Sequence, residues 1–114
     1  MELVKRGALI VYAKEKMLHW VNQLDSFADE QLTIEEINTE PTVFLIPEYE
    51  DEENAFLYIE ENKNTIFKNL LYEWNENEEL NLDISKENFY DWFDFLATPI
   101  VNDLVNTQII KETI

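Results

Sequence analysis

Apolar residues fall into two spacings along this chain, and the alternation between them restricts the fold more than any other feature. Ala8, Leu9, Ile10, Val11 and Tyr12 form a short run rich in β-branched and aromatic side chains, which suits a strand buried on both faces. Met17, Trp20, Val21 and Leu24 then recur at i, i+3, i+4 and i+7 and align as one stripe of a helix ending near Asp25 or Ser26. Thr33 stands three residues before Glu36, the spacing of a capping box, so one helical turn through Ile37 is expected ahead of Pro41. Thr42, Val43, Phe44, Leu45 and Ile46 read as a second buried strand, the central one of its sheet, closed by Pro47.

Glu50, Asp51, Glu52 and Glu53 bring negative charge to a helix N-terminus, where the macrodipole favours it, with Phe56 and Ile59 facing inward. A further stripe of Ile66, Phe67, Leu70, Leu71 and Trp74 follows Asn62, Lys63 and Asn64, giving either two helices with a break or one bent helix. Residues 75–83 read as a surface loop, after which Ser85 caps a helix carrying Phe89, Trp92, Phe93 and Leu96 and ended by Thr98 and Pro99. Residues 100–105 suit a third strand at a sheet edge, because Asn102 and Asp103 interrupt Val101 and Leu104. The order predicts a single domain over residues 1–114 of the α/β (α+β) class. It is a two-layer sandwich with a small three-stranded mixed sheet, whose first two strands run parallel through a right-handed crossover. Three to four helices cover mainly one face and leave the other partly open.

Charge narrows the partners. The chain has 25 Asp plus Glu against 8 Lys plus Arg, a net charge of -17, which repels phosphate backbones and anionic lipid, so neither nucleic acid nor membrane is expected as a partner. With 46% hydrophobic residues the chain still has the means to build a core, unlike an acidic tail. Between residues 17 and 62 there are thirteen acids and no Lys or Arg, a block of one sign where surfaces usually intersperse both. Lys5 and Arg6 precede too short an apolar run for a signal peptide, so a cytoplasmic location is expected.

Catalytic machinery is hard to assemble from these residues. Gly7 is the only glycine, whereas phosphate-cradling loops need several and a calcium-binding EF-hand loop needs a central one. No cysteine is present and His19 is the only histidine, which excludes thiolate zinc sites, thiol nucleophiles and two-histidine metal sites. His19 beside Trp20 reads as a boundary histidine. Asp91 and Asp94, at i, i+3, read as the solvated face of a helix. No cofactor, metal or catalytic residue is assigned. Trp20, Trp74 and Trp92 fall on inward stripes. Tyr49, Tyr58 and Tyr72 are harder to hide, and with Glu48, Glu50, Asp51, Glu52, Glu53, Glu60 and Glu61 they make an aromatic and acidic candidate for partner binding.

Ala13-Lys14, Trp20-Val21-Asn22, Glu35-Glu36-Ile37-Asn38, the stretch Thr42-Val43-Phe44-Leu45-Ile46-Pro47-Glu48 and Trp92-Phe93-Asp94 together resemble a group of small bacterial α/β proteins to which no activity is assigned. The resemblance spans most of the chain. It implies a bacterial origin and a compact α/β domain, and nothing about chemistry. Where members of that group carry His-Ser this chain has Thr98-Pro99, so no histidine acts there.

The expected function is a non-enzymatic acidic module that binds a basic protein, as immunity or inhibitor-type proteins do. Its rivals are a self-associating structural domain, such as a homodimer formed through a sheet face or edge, a DNA mimic, and a carboxylate enzyme using Mg²⁺.

Overall fold

A computed structural model describes residues 2–27, 29–75 and 82–113. The chain starts with β1 (Glu2–Leu3) and runs into β2 (Arg6–Ala13), where Leu9 and Val11 are buried on one side and Ala8 is shielded on the other. α1 (Glu15–Asn22) buries its stripe of Met17, Trp20 and Val21 and closes through Gln23 N–H on the Trp20 carbonyl. After a 3-10 turn at Asp25–Phe27, Asn22 clamps Leu32 with both ends of its amide, and α2 (Ile34–Ile37) begins. The capping box is present: Thr33 Oγ1 accepts from Glu36 N–H at 3.2 Å, and Glu36 Oε1 accepts from Thr33 N–H at 3.1 Å.

β3 (Thr42–Pro47) pairs antiparallel with β2, from Val11 opposite Thr42 to Arg6 opposite Pro47. The expected parallel crossover is therefore corrected. An eight-residue helix rises only about 12 Å while β2 covers about 26 Å, so α1 and α2 cannot carry the chain back to the start of the sheet. Asn38, bonded to Ala13, shows the chain re-entering at the end where it left. β3 is not the central strand either, since β2 lies between β3 and β4. Its run of apolar residues alternates between a half-buried Phe44 and buried Ile46 on one side and exposed Val43 and Leu45 on the other.

α3 (Glu52–Trp74) is one unbroken helix of 23 residues, capped by Asp51, whose carboxylate accepts from Glu53 N–H. Asn62 bonds the Tyr58 carbonyl one turn back, so the polar stretch continues the helix. Ala55, Ile59, Ile66, Phe67, Leu70 and Leu71 face the core, whereas Phe56, expected inward, is 47% exposed.

The expected loop over residues 75–83 lies largely outside the described residues. Beyond it Asp83, not Ser85, is the cap, and what it caps is a 3-10 turn at Ile84–Lys86. Asn88 caps a single turn, α4 (Phe89–Trp92), and the chain then extends as β4 (Phe93–Thr98) instead of continuing a helix to Leu96. β4 pairs antiparallel with β2, Ala13 opposite Phe93 and Ala8 opposite Thr98. A period of two wins over 3.6 there: Phe93 is buried and Phe95 and Ala97 are half-buried, while Asp94 and Leu96 are exposed. The unpaired side of β2 supplies the ladder. The expected strand over residues 100–105 contracts to β5 (Asn102–Asp103), which pairs with β1 and not with the main sheet. Pro99 lies in the short gap between the two ladders, after β4 and before β5.

Helices and sheet meet in a core centred on Phe67, whose ring lies 5.2 Å from Trp92, 5.3 Å from Phe93 and 6.1 Å from Phe89. The result is an α+β fold with an antiparallel three-stranded sheet, not the mixed one expected, and helices against one of its faces.

Candidate protein-docking surface

The acids of residues 48–61 gather around the start of α3. Glu48, Glu50, Asp51, Glu52 and Glu53 are exposed in the lead-in and first turn, and Glu61 is exposed two turns further on. Negative charge is favoured here by the amides of the helix N-terminus, one of which Asp51 already binds.

The tyrosines behave differently from the expectation. Tyr49 is half-buried because its ring lies on Gly7: a Cβ at Gly7 would come within 2.8 Å of Tyr49 Cε1 and 3.2 Å of Ile46 Cγ1. The one glycine makes room for this ring. Burial, followed by the charge of Glu52, raises the Tyr49 hydroxyl above its ordinary pKa. Tyr58 is half-buried against the core, and Tyr72, 40% exposed, is the open one of the three.

Sequence reasoning missed Phe56 and Leu57. Both lie on the outer side of α3, 47% and 50% exposed, between Glu53 and Glu60–Glu61 in the helical order. The signal was present in the unbroken run of Ala55, Phe56, Leu57, Tyr58 and Ile59, since five consecutive apolar residues exceed one helical turn and cannot all face inward. Phe56 stacks on Tyr90 at 6.1 Å with an interplanar angle of 18°. The Tyr90 hydroxyl donates to Glu60, which also accepts from Lys63 Nζ at 3.4 Å. The Tyr90 hydrogen bond is the largest influence holding the Glu60 carboxyl below its usual pKa, with Lys63 adding to it. Burial foremost, then Glu60, pushes the Tyr90 phenol well above the usual range. Phe56 is thus held from behind by an ordered ring.

The other residues singled out in the sequence lie apart from this surface. His19 is exposed and bonded to Gln23 at 3.0 Å. Asp91 sits on α4 beside Lys16 at 3.8 Å and Asp94 on β4, so they do not share a helix face as expected. Among the described residues no group of three His, Cys, Asp or Glu side chains is placed to hold a metal, and no helix is long and apolar enough to cross a membrane. A cavity of about 250 Å³ runs between Met17, Leu70, Trp74 and Phe93. Two of its polar lining groups are engaged, Asn38 with Ala13 and Thr42 with Glu73 at 2.6 Å.

Compared with known proteins, the chain matches no family model, no curated protein and no solved structure.

Proposed function

We propose that this chain is a non-enzymatic protein-binding module that uses its acidic face to dock a basic protein, in the manner of immunity and inhibitor-type proteins. The observation that carries the reading is the exposure of Phe56 and Leu57 among Asp51, Glu52, Glu53, Glu60 and Glu61. Aromatic and aliphatic anchors supply most of the affinity of an interface, while surrounding charge steers the encounter and selects the sign of the partner. An acid-only surface would attract any cation; two apolar anchors inside it call for a shaped protein partner. The reading places the encounter in the cytoplasm, which fractionation checks.

The test is capture of a partner by the immobilised chain at low and high salt, with Phe56→Ala/Leu57→Ala and Glu52→Gln/Glu53→Gln/Glu61→Gln variants in parallel. The reading expects a basic protein that both variants lose and that salt releases. Capture indifferent to salt and to both variants sinks it. Duplex DNA competing for the captured partner would turn the reading toward DNA mimicry.

A further inference from the structure

The sheet face turned away from the helices has no layer over it among the described residues. Register sets its side chains in rows: Leu45, Ala8 and Thr98 in one, Val43, Ile10 and Leu96 in the next. Val43, Leu45 and Leu96 are 55%, 45% and 56% exposed. Two charges bracket these rows on the same side of the sheet. Arg6, opposite Pro47, stands at one end and Asp94, opposite Tyr12, at the other. Both are exposed, and neither forms an ion pair with another described residue.

We propose that this face binds a second copy of the chain, the two sheets stacked about a two-fold axis that crosses the strands at the level of Leu9. Charge selects the occupant. Two bodies of net charge -17 repel each other in most orientations, and this face keeps its apolar rows free of acid while directing the acids of α3 away from the contact. Leu9 lies midway between Arg6 and Tyr12, so a two-fold axis there lays the Arg6 end of one copy over the Asp94 end of the other, and does so twice. The same operation sets the Leu45-Ala8-Thr98 row of one copy on the Val43-Ile10-Leu96 row of its partner. A self-complementary patch with opposite charges at its two ends is what an isologous contact requires.

Area sets the strength. Three strands of six residues, with strands about 4.8 Å apart and about 3.3 Å per residue, offer roughly 300 Å², against roughly 800 Å² per partner in a stable complex. The association is consequently reversible and concentration-dependent.

Sedimentation equilibrium of the full chain over a range of concentrations tests this, with circular dichroism confirming the fold of each variant. The expected result is a monomer–dimer equilibrium that Leu96→Asp, or the milder Leu96→Ser, shifts to monomer. Arg6→Glu and Asp94→Arg should each weaken the dimer about tenfold, and the two together should restore it. A chain monomeric up to about 1 mM, a dimer indifferent to Leu96, or a double variant no better than either single one overturns the proposal. So does a monomer that takes up a foreign protein through Leu96.

Discussion

Asn38 completes the β2–β3 ladder with its side chain: Oδ1 accepts from Ala13 N–H at 2.7 Å and Nδ2 donates to the Ala13 carbonyl at 3.0 Å. β3 begins at Thr42, opposite Val11, so no backbone reaches Ala13 from that side. Asn38→Ala leaves both Ala13 groups without these partners and should cost about 2 kcal/mol in urea unfolding. Asn38→Asp keeps the acceptor but sets a carboxylate against the Ala13 carbonyl, and should be no better than alanine at neutral pH. If Asn38→Ala unfolds at the parent urea concentration, the clamp contributes nothing.

Gly7 is needed for space. With Tyr49 Cε1 2.8 Å from where a Cβ would stand, Gly7→Ala should destabilise by about 1–3 kcal/mol through overpacking. A double-mutant cycle with Tyr49→Ala should show coupling of about 1 kcal/mol. Additive effects would mean that the ring is not what the methyl group meets.

Phe67 is fully buried and touches three other rings. Phe67→Ala should cost about 3–5 kcal/mol and weaken the near-ultraviolet dichroism of Trp92, the closest ring. Leu96→Ala on the open sheet face, by contrast, should shift the unfolding of the monomer by less than about 1 kcal/mol.

The Glu60–Tyr90 pair shapes stability at both ends of the pH scale. Glu60 ionises below the ordinary carboxyl value, so its contribution is present above about pH 4.3 and is lost as pH falls through its folded-state value. Tyr90 ionises above the ordinary phenol value, so its contribution is present below about pH 10 and is lost as pH rises beyond it. Tyr90→Phe should flatten both limbs of a plot of urea midpoint against pH. In a spectrophotometric titration Tyr49 and Tyr90 should lag the ordinary phenol value, Tyr90 last, and Tyr90→Phe should remove the latest step.

Local chemistry carried much of this fold in advance. The Thr33–Glu36 capping box, the stripe of Met17, Trp20 and Val21, the strand at residues 42–47 and the acidic start of α3 all rest on neighbours within a turn or two, where spacing alone determines the outcome. The errors came where distant partners decide. Phe93 and Leu96 sit at helical spacing from Phe89, yet the free side of β2 draws them into a strand. The antiparallel return of β3 depends on the shortness of α1 and on Asn38 reaching Ala13, neither of which periodicity records. At the candidate docking surface the acids were legible as a block of one sign. Phe56 and Leu57 required knowing that α3 takes Ala55 and Ile59, and not Phe56, as its inner stripe.

The strand order has a consequence for how the molecule is made. β2, near the start of the chain, finds its second neighbour only when β4 is complete, and Ala8 and Thr98, paired in the ladder, are separated by nearly the whole sequence. Closing so wide a loop before any reward is slow. On the ribosome, β2 remains an edge strand until Thr98 has emerged, so a chaperone that shields hydrophobic β-edges should hold nascent chains stopped short of β4 and release those that include it.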